Sequence, residues 1–145
     1  MKISDVMSRD IEVASPTDTI QSVAQKMAQL DVGALPVCDG RKIQGMITDR
    51  DIAVRGVAQG VGSDSPVSQI MTGDLEYVLA GDDLDRAADK MASNQIRRLP
   101  VVDENKELVG IISLGDLAKE HQDKIVGRTL EDISQPGGQG NQTQG

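Results

Sequence analysis

The sequence predicts an α/β (α+β) fold built from two copies of one β-α-β-β-α unit, and three observations predict it. First, the chain nearly repeats itself. A shift of about 64 residues carries Met7 onto Met71, Asp18 onto Asp82, Lys26–Met27–Ala28 onto Lys90–Met91–Ala92 and Leu35–Pro36–Val37 onto Leu99–Pro100–Val101. After one inserted residue near Asn105, Gly45 meets Gly110 and Asp51 meets Asp116. Second, each copy sets an apolar stripe at helical spacing before two short apolar runs divided by a turn. Third, the hydrophobic residues, 38% of 145, include no Phe or Trp and only one tyrosine, Tyr77, so the core is aliphatic. Paired copies of one supersecondary unit bury their exposed faces against each other, and ligand clefts tend to form where the copies meet.

Taken in order, a short strand near Ile11–Ala14 opens the first copy. Thr19 stands where an N-cap belongs, ahead of Ile20, Val23, Ala24, Met27 and Leu30 on one helix face. Ala34–Cys38 reads as a strand ended by the Asp39–Gly40 turn, KIQGMIT as a second strand reaching Thr48, and DRDIAVRGVA as a second helix. Residues 1–58 are thus the first repeat, and Gln59–Ser65, rich in Gly, Ser and Asp, is the linker. Ser65–Pro66 reads as a helix start with proline at the first helical position. The second repeat, 66–126, answers with a strand near Leu75–Leu79 and an Asp83 cap before the stripe Leu84, Ala87, Ala88 and Met91. The Leu99–Val102 strand, a turn over Asp103–Asn105, the strand ELVGIIS and the helix LGDLAKEHQDK complete it. In the extension 127–145, RTLEDIS offers one more helical turn. Gln135–Gly145, without an apolar residue, cannot offset its ordering entropy and is expected to be flexible.

Composition excludes several functions. A net charge of −8 without stacking aromatics argues against nucleic acid as the partner. The start MKISDVM lacks an apolar signal core, and no run approaches the roughly 20 apolar residues of a membrane span, so a cytoplasmic location away from membranes is expected. Cys38 lies in an apolar run and reads as a buried hydrophobe, and the six methionines as core residues of helix stripes. His121, the only histidine, has no nucleophile partner at a catalytic spacing. One His and one Cys do not make a zinc site, and Gly60 and Gly62 lack the ending of a phosphate-binding loop. The expectation is a protein that is not an enzyme and requires neither cofactor nor metal.

Two motifs carry chemistry. GMITDRD and GIISLGD place Thr48 with Asp51, and Ser113 with Asp116, three residues apart where a strand turns into a helix. Structurally, this is a hydroxyl N-cap with an acid in the first turn. Functionally, the carboxylate can accept both hydroxyls of a ribose, while the hydroxyl and the free N–H groups can meet a phosphate. Arg97 and Arg98, just before the Leu99–Val102 strand, read either as surface ion-pair partners or as a fork of donors for phosphate oxygens. The first copy has Gly33 and Ala34 there, leaving Arg50 as its candidate cation, so the two sites are expected to be unequal. Val13, Pro36, Ile96 and Pro100 could sandwich a base or belong to the core.

The β-α-β-β-α order, the LPVV strand and these paired motifs resemble the cystathionine-β-synthase (CBS) domain, and the tandem resembles a Bateman module over about 120 residues. The chain is most similar to small stand-alone bacterial two-CBS proteins, and its second repeat to a nucleotide-binding repeat of the AMP-activated protein kinase gamma subunit. The resemblance implies a disc of two repeats about a pseudo-two-fold axis and two clefts for adenosine-containing ligands (AMP, ADP, ATP, NAD or S-adenosylmethionine). It assigns the ribose to Asp116 and Asp51, and phosphate to Ser113, Thr48, Arg97 and Arg98. It also implies a regulatory module that signals to an effector protein, with discs pairing into homodimers. The stripes Ile52, Val54 and Val57, and Leu114 and Leu117, are the surfaces expected to need burial. The other reading is a dimeric scaffold without a ligand.

Overall fold

The structure is a computed structural model and describes residues 1–120. His121, the last part of the predicted final helix, RTLEDIS and the Gln135–Gly145 tail lie outside the described residues. Two packing units divide the described residues: 12–75, and 1–11 together with 76–120.

In the unit of residues 12–75, Thr19 caps the first helix by accepting the Ser22 N–H, and α1 runs over Ile20–Leu30. Its buried face is Ile20, Val23 and Met27, whereas Leu30 is 39% exposed at the helix end, where the left-handed Asp31 stops the helix. β1 (Ala34–Asp39) and β2 (Lys42–Thr48) form an antiparallel pair turned at Gly40, whose φ of 62° suits glycine. The predicted opening strand is reduced to one residue: Ala14 bridges Val37 in parallel, donating to Pro36 and accepting from Cys38.

The second helix differs from its predicted form. It begins as an α-turn, α2 (Asp49–Asp51), widens into a π-turn over Ile52–Gly56 and closes as a 3₁₀ turn over Val57–Gln59. The β-branched Ile52, Val54 and Val57 and the interior Gly56 give it weak helical propensity. Gly56 is buried, and a Cβ there would lie 3.5 Å from Ile70 Cδ1. Pro66 is also displaced from its expected place. With ψ near 145° it is extended and stands before the 3₁₀ turn Val67–Gln69 rather than inside a helix.

In the other unit, β3 (Val78–Leu79) is shorter than the predicted strand and pairs in parallel with β4 (Arg98–Val102), which pairs antiparallel with β5 (Leu108–Ser113). Asp83 caps α3 (Leu84–Asn94), whose stripe Leu84, Ala87, Ala88 and Met91 is wholly buried, and α4 occupies Leu114–Glu120. Leu114 and Leu117 are 7% and 1% exposed, so this predicted surface stripe is core of its own unit. The methionines divide: Met27 and Met91 fill helix faces and Met7 is buried, but Met1 is 61% exposed and Met46 is a half-buried strand residue.

Each sheet is completed by the opening segment of the other repeat. Ser8 exchanges backbone hydrogen bonds of 2.8 and 2.9 Å with Ile111 on β5, and Thr72 exchanges two of 2.9 Å with Met46 on β2. The chain can approach this closely because Gly110 and Gly45 face it. A Cβ at Gly110 would lie 2.9 Å from Ser8 O, and one at Gly45 would meet Thr72 O and lie 3.2 Å from Met71 Sδ. Residues 67–72 therefore pack within the unit of residues 12–75, and residues 3–8 with residues 76–120.

Candidate functional site

In both units the strand-to-helix turn closes on a reciprocal pair of hydrogen bonds. Thr48 N donates to Asp51 Oδ2 at 3.1 Å while Asp51 N donates to Thr48 Oγ1 at 3.0 Å. Ser113 N donates to Asp116 Oδ2 at 2.8 Å and Asp116 N to Ser113 Oγ at 3.2 Å. These are capping boxes with Asp in the acidic role. A backbone bond ties each helix start to the chain entering the neighbouring strand: Asp49 N to Gly33 O at 2.9 Å, Leu114 N to Arg97 O at 2.8 Å.

Sheet register then selects what faces each box. Ala34 is the cross-strand partner of Thr48, and Arg98 that of Ser113, so Arg98 and Ser113 rise from the same face of their ladder. Arg98 is half-buried and Arg97 exposed, and neither guanidinium has a hydrogen bond or an ion pair among the described residues. The ion-pair reading of these arginines is therefore not realised there. Arg50 is exposed; its backbone N–H donates to Asp49 Oδ1 at 2.8 Å, while its guanidinium is unpaired among the described residues.

The carboxylates differ in their second oxygen. Asp51 Oδ1 lies 4.0 Å from Arg55 Nη1, and that nitrogen donates to Met71 O at 3.2 Å and Thr72 Oγ1 at 3.5 Å. Asp116 forms no ion pair among the described residues, and Glu120 stands four residues after it where Arg55 stands four after Asp51. Sequence reasoning missed Arg55. The aligned repeats held the signal, an arginine facing a glutamate in otherwise matched motifs.

Of the base candidates, Pro36, Ile96 and Pro100 are buried and Val13 is half-buried, with Ile96 in its unit's apolar core. Val13 also anchors its unit: its carbonyl accepts Lys26 Nζ at 2.7 Å, and Lys26 lies 3.8 Å from Glu12. The second unit repeats this with Lys90, 2.8 Å from Tyr77 O and 3.5 Å from Glu76. The recurrence of Glu12 and Lys26 as Glu76 and Lys90 was visible in the sequence and marks a structural clamp between helix and opening strand. Burial pushes the Cys38 thiol above its ordinary pKa, as expected of a packed and unreactive cysteine. Among the described residues no cluster of three His, Cys, Asp or Glu could hold a metal ion, and no helix is long and apolar enough to cross a membrane.

Chemically, each box offers a carboxylate with one oxygen fixed by a backbone N–H, beside a hydroxyl. Only the second adds guanidinium donors from the neighbouring strand. Comparison with known proteins agrees with this repeated design. The CBS-domain family model matches residues 3–56 and 67–123. CBS domain-containing protein YhcV of Bacillus subtilis (strain 168) is 44% identical over 133 residues, covering 91% of this chain and 94% of that protein. The crystal structure of Hypoxic Response Protein I, which holds two coordinated zinc ions, superposes with a TM-score of 0.76 at 31% identity over 84% of this chain and all of that one. The CBS domain pair of MJ0100, in complex with 5′-methylthioadenosine and S-adenosyl-L-methionine, gives 0.70 at 28% identity, covering 82% of this chain and 94% of that one.

Proposed function

The chain belongs to the CBS-domain family, carrying two copies of the domain, and on that premise we propose that it is a regulatory binding module for an adenosine-containing ligand. The observation that carries this reading is the second unit's Ser113–Asp116 box with Arg98 directly across the ladder and unpaired among the described residues. In this reading Asp116 accepts the ribose hydroxyls through its outer oxygen, Ser113 and the helix start meet the first phosphate, and Arg97 and Arg98 neutralise it. Thr48 and Asp51 form the weaker counterpart, with Ala34 in place of Arg98 and with Arg50 as its candidate cation. Two of the buried base candidates, Pro36 and Pro100, hold strand geometry, which leaves Val13 as the better exposed apolar contact. That the structure of MJ0100 holds adenosyl ligands on a related domain pair supports the ligand class.

A binding module signals when its ligand prefers one of two arrangements, and a cytoplasmic effector protein would read that preference. Residues Val54 and Val57, 43% and 73% exposed, support pairing of two copies through the π and 3₁₀ turns. No residue in either box is arranged as a nucleophile with a base, which favours binding over catalysis.

Thermal melting with AMP, ADP, ATP, NAD and S-adenosylmethionine tests the reading. A ligand at a hundred times its Kd stabilises by about 2.7 kcal/mol, a shift of roughly 5–10 °C for a chain of this size. Asp116→Ala lowers the ligand-free melting point by removing its box and also abolishes most of the ligand-induced shift; Arg98→Ala weakens AMP more than adenosine. If none of the five moves the melting curve at millimolar concentration, the sensing reading fails and a ligand-free scaffold takes its place.

A further inference from the structure

The two boxes share their hydroxyl and carboxylate, but the helices that start from them diverge. Four residues after Asp51 stands Arg55, and four after Asp116 stands Glu120. The difference has a structural setting. Asp51 and Arg55 are joined by the π-turn Ile52–Gly56, whereas Asp116 and Glu120 are joined by the regular α4. π-turns inside helices occur frequently at functional sites.

Arg55 has a divided set of acceptors. Its Nη1 reaches the Met71 carbonyl at 3.2 Å and the Thr72 hydroxyl at 3.5 Å, and lies 4.0 Å from Asp51 Oδ1. Asp51 is 13% exposed at its side chain while Arg55 is 49% exposed. The guanidinium is therefore held beside the carboxylate yet remains open to solvent on its other donors. Its partners on residues 71–72 are neutral and hydrogen-bond it weakly by length, so an anion would be the stronger acceptor.

We propose that Arg55 is the specificity-determining residue of the first-repeat site, making it select phosphorylated over unphosphorylated adenosine. The inference rests on the reading of Asp51 as a ribose acceptor. A neutral nucleoside must share Asp51 Oδ1 with Arg55, so it gains less there than at Asp116. A nucleoside phosphate brings the guanidinium an acceptor of its own and leaves Asp51 to the diol. Arg55 thereby does from the helix what Arg98 does from the strand in the other unit, and the departure at Gly33 and Ala34 is offset from a different element.

The test is isothermal titration of AMP and of adenosine into the full chain carrying Asp116→Asn, so that the first-repeat site alone reports. The expected result is that adding Arg55→Gln lowers the ratio of AMP to adenosine affinity by about tenfold, the loss of one charge-assisted contact. Adenosine affinity itself stays level or rises. Arg55→Lys, which keeps the charge without the fork, falls between. Unchanged circular dichroism and an AMP affinity that falls while adenosine's does not separate this role from loss of packing. An unchanged ratio overturns the specificity role while leaving the nucleotide reading intact. If neither AMP nor adenosine binds even to the unsubstituted chain, the nucleotide reading and this proposal fall together.

Discussion

Asp51 and Asp116 each commit one carboxylate oxygen to a backbone N–H, 3.1 and 2.8 Å away, so each has a structural role whether or not a ligand binds. Their boxes hold the helix starts, and removing such a cap costs about 1 kcal/mol. A loss of stability in Asp116→Ala is thus expected whether or not a ligand binds, and the ligand-induced shift is the discriminating quantity. Gly45 and Gly110 act at the same scale through what they lack. A Cβ at Gly110 would lie 2.9 Å from Ser8 O and as close to Met7 Cγ. Gly110→Ala is therefore expected to destabilise by about 1–3 kcal/mol through overpacking against backbone. Gly40→Ala, with open space around it and only a positive φ to strain, should cost less, about 1 kcal/mol. Urea unfolding midpoints measure both; equal midpoints for the two variants would show that the Ser8 segment yields readily.

Among the elements, the N-terminal segment has more structural weight than terminal residues ordinarily do. Ile3 is fully buried, Met7 is 8% exposed and Ser8 closes the β5 edge with two backbone hydrogen bonds. Deleting residues 1–9 uncovers that edge and opens a gap beside Gly110. A fall in melting temperature of more than about 5 °C is expected, where an undocked terminus would give none. Differential scanning calorimetry of the truncated chain decides it. The same scale explains where helix prediction succeeded. α1 and α3 have capped starts, left-handed stops at Asp31 and Gln95 and one apolar face each, so local signals agree. The segment after Asp51 lacks that agreement: its β-branched residues and interior Gly56 favour no regular helix, and it runs from an α-turn through a π-turn to a 3₁₀ turn.

At the scale of the whole molecule, the expectation of self-association now rests on fewer residues than the sequence offered. Leu114 and Leu117 are core, leaving Val54 and Val57 as the exposed part of the predicted stripes. Light scattering should return about twice the 15.4 kDa of one chain, as for the common two-fold dimer. Val57→Lys should return the single-chain mass without lowering helical content. A monomeric unsubstituted chain at micromolar concentration would remove the dimer from the proposed function.

The repeat, its β-α-β-β-α order, the caps at Thr19 and Asp83, the α3 stripe and the pairing of hydroxyl with carboxylate were all legible in the sequence. Apart from the repeat, read from the shift of about 64 residues, each is fixed by residues close together in the chain: periodicity, capping and turn chemistry act over a few positions. Three things required tertiary structure. Which segment completes which sheet is decided by glycine contacts between residues over 25 apart, Gly45 with Thr72 and Gly110 with Met7. Which arginine faces a box is decided by strand register, which sets Arg98 against Ser113 and Ala34 against Thr48. That Arg55 also donates to the Met71 carbonyl and the Thr72 hydroxyl is decided by the fold, which brings residues 71–72 alongside its helix. Local energetics specify elements, whereas partners across space are chosen by packing, where a single Cβ or a one-residue register shift decides which groups meet.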